Sequence, residues 1–266
     1  MAGSKATIRV GIGGWTYEPW RGLFYPADLP HSRELEFASR KLTAIEVNGT
    51  YYSTQKPATF ARWRDETPDG FVFSLKANRF ATMRRVLADA GESIERFVGS
   101  GIAELGDKLG PLVWQLAPTK RFEPDDLEAF MKLLPASVGG IALRHVLDVR
   151  HESFMVPEYL ALARRYKVAT VFCDSDEYPS FCDITGDFVY ARLMRTESRQ
   201  RTGYPPTAIR DWAERARLWA AGHEPPGLPC IEEKIAPVRP RDVFLFFISG
   251  AKERAPAAAM ALIDGL

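Results

Sequence analysis

Glu46 sits in the middle of Ala-Ile-Glu-Val-Asn-Gly-Thr-Tyr-Tyr, residues 44–52, where apolar and polar side chains alternate. A period of two puts Ile45 and Val47 on one face of a strand and Glu46, Asn48 and Thr50 on the other. A carboxylate in mid-strand is costly to bury unless cations, hydrogen-bond donors or a proton meet it. Other short apolar runs supply Lys76, Arg150 and Arg192, together with two more acids, Asp148 and Asp174. Two chemistries fit this set. In one, the charges form a neutral lattice, Glu46 beside Lys76 and Asp174 between Arg150 and Arg192, which satisfies burial without any reaction. In the other, Glu46 or Asp174 exchanges a proton with a substrate while the three cations hold an anion. His151, next to Arg150, reads either as a proton shuttle or as a packed histidine bonded to backbone.

These residues need elements to position them. Strand patterns run over residues 8–14, 44–52, 71–78, 111–117, 145–151, 169–175, 188–194 and 242–248. Helical spacing falls between them at 31–41, 57–65, up to 105, at 124–134, 156–166, 207–221 and finally 251–262. Eight such alternations in 266 residues approach the length of about 250 usual for a (β/α)8 barrel. The expected fold is therefore α/β, a TIM (β/α)8 barrel spanning residues 1–266 as one domain, with one irregular or missing helix after strand six, at 176–186. A doubly wound open sheet is the alternative, since periodicity does not establish closure. Residues 230–235 also read as an extra strand. If the apolar row of each strand packs on helices, the inward row holds Gly11, Gly13, Glu46, Asn48, Ser74, Lys76, Gln115, Asp148, Arg150, Asp174, Tyr190 and Arg192, while Cys173 faces outward as a small core residue. Most of the polar members lie near strand C-terminal ends, where barrels carry their chemistry.

The loops add two clues. Lys76, Arg79, Arg84 and Arg85 follow strand three without an acid, and Arg192, Arg195, Arg199 and Arg201 follow strand seven with only Glu197. Both runs read as solvated faces or as the lips of an anion site, which arginine suits through planar two-pronged contact. Ser249 and Gly250, between the last strand and the last helix, would offer backbone N–H groups to phosphate or would act as a plain cap. Trp15 and Tyr17, in the aromatic loop after strand one, would stack on a base or sugar ring, or simply close the barrel end.

Composition narrows the class. The chain is 46% hydrophobic, with 35 Lys plus Arg against 34 Asp plus Glu, so a full core is available and global charge does not point to nucleic acid or membrane. Cys173, Cys182 and Cys230 lack C-x-x-C spacing and the four histidines lack H-x-x-x-H spacing, which fits reduced thiols and gives no zinc pattern. No apolar run reaches the roughly 18 residues of a membrane helix, and Met-Ala-Gly-Ser-Lys-Ala-Thr leads straight into strand one without a long apolar segment. A cytoplasmic protein is expected.

Six motifs stand in order along the chain: Gly-Gly-Trp at 13–15, Phe-Tyr-Pro at 24–26, Ile-Glu-Val-Asn-Gly-Thr-Tyr-Tyr at 45–52, Phe-Ser-Leu-Lys-Ala at 73–77, Lys-Leu-Gly-Pro-Leu-Val-Trp-Gln-Leu-Ala-Pro at 108–118, and Asp-Val-Arg-His-Glu-Ser-Phe at 148–154. Through them the chain resembles the YecE-like family, domain of unknown function 72, over nearly its whole length. The resemblance implies a TIM barrel and no established reaction. It also implies site residues at Glu46, Asn48, Lys76, Gln115, Arg150, His151, Asp174 and Arg192. Where the family often has Arg-Leu-His-Gly, this chain has Arg192-Leu193-Met194-Arg195; where it often has Asn-Asn-Asp, this chain has Ile248-Ser249-Gly250.

The expected function is an enzyme, a hydrolase or isomerase, that binds a small anionic or phosphorylated compound at the barrel mouth. Glu46, Asp174 and His151 are its candidate catalytic groups. Trp15, Tyr17, Asn48, Lys76, Gln115, Asp148, Arg150, Arg192, Ser249 and Gly250 are its candidate binding groups. A nucleic-acid-processing protein and a non-catalytic binding barrel are the alternatives. No cofactor follows from the residues, a divalent metal is left open, and no metal ligands are assigned.

Overall fold

The computed structural model describes residues 6–233 and 237–266. Eight parallel strands form the barrel: β1 (Ile8–Gly13), β2 (Ala44–Val47), β3 (Val72–Lys76), β4 (Leu109–Gln115), β5 (His145–Asp148), β6 (Ala169–Asp174), β7 (Phe188–Leu193) and β8 (Asp242–Phe247). Each pairs with its sequence neighbours, and β8 pairs with β1 from Ile8↔Val243 to Ile12↔Phe247. That last ladder closes the sheet and removes the open-sheet alternative. Within the segment read as an extra strand, residues 230–233 form none, and the rest lies outside the described residues. Among the described residues no helix is long and apolar enough to cross a membrane.

Register decides which side chains face the axis, because paired residues on neighbouring strands share a face. Gly13↔Glu46 and Glu46↔Ser74 continue one inward row, and Gln115↔Asp148 begins another. On the far side, Val171↔Tyr190, Cys173↔Arg192 and Arg192↔Phe246 complete it. Gly11 shows why no side chain is tolerated at its place in the row: a Cβ there would lie 2.0 Å from the Ala44 carbonyl oxygen. The lower interior is apolar, with Ala44, Val72, Val113, Val146, Ala169 and Phe244 in one cluster. Arg144, paired with Asp242 at 2.9 Å, closes that end over the Phe244 ring.

The same register corrects one expectation. Asp174 pairs with Leu193, so it belongs to the outward row, and Cys173 takes the inward place. The row Ala169, Val171 and Cys173 is small and apolar and fills the narrow interior. Thr170 and Phe172 of the other row meet the outer layer, Thr170 bonding Tyr159 at 2.8 Å and Phe172 packing on Trp212 and Trp219. Apolarity alone therefore misassigned the two faces of β6.

Residues 175–187, after β6, contain no helix. Buried Phe181, Cys182 and Ile184 cover the sheet there instead. The Asp183 carboxylate accepts the Ile231 and Glu232 N–H groups at 2.8 and 3.0 Å, and the Cys182 and Cys230 sulfurs lie 3.1 Å apart. These contacts tie the Pro-rich connector before β8 to the barrel wall.

One buried titratable group is purely structural. His145 Nδ1 accepts from Trp114 Nε1 at 3.0 Å while Nε2 faces the Pro135 carbonyl at 2.8 Å, which fixes the neutral tautomer with its proton on Nε2. Burial pushes its pKa below the ordinary 6.5. The unfolded chain thus takes up the proton first, so stability is full above about pH 6.5 and declines as pH falls toward the folded-state pKa. Thermal melts across pH 5–7 on wild type and His145→Asn should show a shallower acid slope in the variant, whose amide can still accept from Trp114.

Candidate functional site

The inward polar residues form two tiers. In the inner tier, Arg192 is the hub. Its Nη2 and Nε donate to the two Glu46 oxygens at 2.8 and 3.0 Å, and its Nη1 reaches Asp148 and, at 3.3 Å, Gln115 Oε1. The Tyr190 hydroxyl donates to Glu46 at 2.6 Å and lies 2.9 Å from Ser74 Oγ. Glu46, Asp148 and Tyr190 are wholly buried and Arg192 is 1% exposed. Burial opposes the Arg192 charge, but Glu46 and Asp148 outweigh it and hold the pKa above the ordinary arginine value. Burial and the Glu46 charge together push the Tyr190 hydroxyl far up. Both Glu46 oxygens are thereby occupied, so the inner tier fits the lattice reading, with Arg192 rather than Lys76 as partner.

The outer tier differs. Arg150 donates through Nε and Nη2 to Asp148 Oδ2 at 3.1 and 3.0 Å and stacks 4.1 Å from the centre of the Tyr178 ring. Lys76 is 8% exposed, and its ammonium has no ion pair or hydrogen bond among the described residues. Its Nζ instead lies 4.1 Å from the centre of the Tyr51 ring. Burial, helped by Arg192, drops its pKa from 10.5 to about 8, with Glu46 and Asp148 opposing.

Tyr51 reaches that position because β2 is shorter than its alternation indicates. Asn48 adopts helical φ/ψ, and Gly49–Tyr52 forms one helical turn. The Thr50 hydroxyl fixes the turn by donating to the Val47 and Lys76 carbonyls at 3.0 and 2.7 Å. Thr50 is therefore not on the Glu46 face, and Asn48 is half-buried on the rim.

Asp174 sits outside both tiers. Its carboxylate pairs with Arg195 at 3.2 Å and accepts the Tyr204 hydroxyl at 3.1 Å. Burial raises its pKa against those partners. Arg195 also pairs with Asp176, and Arg199 with Glu197, while Arg84 is bonded to the Phe80 and Asp89 carbonyls. Arg195 and Arg199, from the run after β7, are thus spent on local carboxylates, while Arg84, from the run after β3, is held by neutral acceptors. His151 Nδ1 accepts the Ser153 N–H at 3.1 Å and caps the turn Glu152–Phe154.

Of the aromatic loop, Trp20, Phe24 and Tyr25 are buried, whereas Trp15 and Tyr17 remain half-exposed. Ser249 and Gly250 turn with φ of 66° and 59° around Thr196, whose carbonyl takes the Ala251 N–H at 2.8 Å. The helix proper starts later, at Ala255–Asp264. Among the described residues no group of three His, Cys, Asp or Glu side chains is placed to hold a metal ion.

A family model described as "Protein of unknown function DUF72" matches residues 9–266. The chain belongs to this family. Its DUF72 sequence is 26% identical over 147 residues to the UPF0759 protein YecE of Escherichia coli (strain K12), covering 55% of this chain and 50% of YecE. The aligned part thus spans half the length of that relative. A crystal structure of a DUF72 family protein from Thermotoga maritima MSB8 superposes with a TM-score of 0.73 at 20% identity, over 97% of this chain and 98% of that one. A DUF72 family protein from Enterococcus faecalis V583 gives 0.68 at 17% identity, over 98% of each. At such identities the likeness extends to the fold.

Within the DUF72 barrel, reading the sequence missed three side chains at the mouth: Tyr51, Tyr178 and Lys252. The Tyr51 signal lay in Gly49, which loosens a strand and permits the turn. Lys252 stands three residues past Ser249, and its ammonium lies 4.4 Å from the Tyr17 ring centre. Nothing in the local pattern sets Tyr178 apart from an ordinary loop aromatic.

Proposed function

We propose that this DUF72 protein is an enzyme that takes a small anionic compound, a phosphate ester foremost, at the C-terminal mouth, between Lys76 and Arg150. The observation that carries this reading is a charge imbalance. With Asp174 outside the interior, three cations (Lys76, Arg150 and Arg192) face only two carboxylates, Glu46 and Asp148. A buried surplus cation is costly, and a ligand anion would offset it. Lys76 is the unpaired member, and a lysine with pKa about 8 has a fraction of neutral amine near pH 7 that can accept a proton.

Lys76 therefore replaces Glu46 as the proposed acid/base, with Arg150 as anion clamp and Glu46 as the group that holds Arg192. Proton abstraction beside a carbonyl, as in an isomerisation, and base-assisted hydrolysis both fit an amine in this position. The nucleic-acid alternative called for free cations over the mouth, and the pairing of Arg195 and Arg199 weakens it.

The test is a thermal-shift screen of phosphorylated metabolites followed by phosphorus NMR of any hit. At least one compound should raise the melting point of wild type and be converted. Arg150→Met should weaken its binding, and Lys76→Met should stop turnover. Binding without conversion of any hit would support the non-catalytic barrel instead. A screen without shifts would remove the anion reading altogether.

A further inference from the structure

Beside the mouth, at the ends of β1 and β2, lies a cleft of about 520 Å³ lined by Trp15, Trp63, Tyr52, Asn48, Gln55 and Lys252 among others. A second cavity of about 180 Å³ shares Asn48 and Lys252 with it and extends to Ser249. Lys252 is the one charged side chain among the described residues lining either space. No carboxylate pairs with it among the described residues. Its ammonium rests 4.4 and 5.6 Å from the ring centres of Tyr17 and Trp20, and the Trp20 indole N–H donates to its carbonyl at 2.9 Å, fixing the backbone.

An ammonium that is half-buried, backed by π faces and lacking a counter-ion attracts an anionic group. The remaining lining has a different character. Trp15 stands edge-on to Trp63 with ring centres 5.1 Å apart, and Tyr52 is 65% exposed. Aromatic side chains stack on flat rings, and the amides of Asn48 and Gln55 can donate to and accept from ring substituents. The larger volume falls within the roughly 300–1,000 Å³ of small-molecule sites.

We propose that this cleft binds a ring compound bearing one phosphate ester, the ring against Trp15 and Tyr52 and the phosphate at Lys252. A nucleoside monophosphate and a sugar phosphate share that chemistry. The inference goes beyond the functional reading: it concerns a separate cleft beside the mouth and rests on these side chains, not on Lys76 or Arg150.

Calorimetric titrations with adenosine 5′-monophosphate, ribose 5-phosphate, adenosine and inorganic phosphate test it on wild type, Lys252→Met, Tyr52→Ala and Lys76→Met. At least one phosphate ester should bind, with the unphosphorylated nucleoside and the bare anion weaker by about tenfold or more. Lys252→Met should lose about tenfold or more, and Tyr52→Ala, at an exposed position that leaves the fold intact, should lose several-fold. Lys76→Met should keep the affinity of the cleft even where turnover is gone. Tighter binding of the nucleotide assigns the ring to a base, and tighter binding of ribose 5-phosphate assigns it to a sugar. The proposal is overturned if neither ester binds, if Lys252→Met binds like wild type, or if Lys76→Met alone abolishes binding.

Discussion

Arg192→Met is expected to destabilise the protein by about 3–5 kcal/mol, the usual consequence of removing one partner from a buried charge network. The guanidinium is the hub between Glu46, Asp148 and Gln115, and a thioether leaves two wholly buried carboxylates without their shared cation. Urea unfolding at neutral pH should show the loss as a lower midpoint. Arg192→Lys should recover only part of it, since an ammonium cannot bridge both Glu46 oxygens and reach Asp148 at once. An unchanged midpoint in Arg192→Met would mean that the inner tier is not what holds these strands together.

Lys76→Met should act in the opposite sense. The folded state holds Lys76 at a pKa of about 8, below its ordinary 10.5, so the charged amine opposes folding wherever it remains protonated. The cost is full below pH 8 and is relieved as pH rises toward the unfolded value of roughly 10.4. At pH 7 the methionine variant should therefore be more stable than wild type by about 2 kcal/mol, after allowance for residual solvent contact. The difference should narrow as the buffer approaches pH 10. A side chain kept at a cost to stability is what a working site requires. Paired urea titrations at pH 7 and pH 9.5 check both the size of the gain and its pH trend. Equal stability of the two proteins at pH 7 would contradict the surplus-charge description of the interior.

Much of this arrangement is legible in the chain because charged residues inside period-two apolar runs are conspicuous. Glu46, Lys76, Asp148 and Arg192 all stand where alternation puts them, and eight strand runs with helical intervals give the barrel. Asp174 escaped correct placement because the apolar row of β6, Ala169, Val171 and Cys173, faces the axis, while the mixed row, Thr170, Phe172 and Asp174, faces the outer layer. Only the register with Tyr190 and Arg192 separates them. That single reassignment turns a balanced set of six charges into an unbalanced set of five. Tyr51 was hidden by a pattern that continues through residues 48–52 although the backbone leaves the strand at Asn48. Lys252 was hidden because its surroundings, Tyr17 and Trp20, come from the opposite end of the sequence.

The most direct check is the titration of Lys76 itself, followed by NMR at its side-chain amine with Lys76→Met as the assignment control, in the absence and presence of inorganic phosphate. The account requires a midpoint near 8 that moves upward when phosphate occupies the mouth, since an anion stabilises the charged amine. A midpoint at the ordinary lysine value, indifferent to phosphate, would show that the interior carries no uncompensated cation and has no need of an anionic ligand.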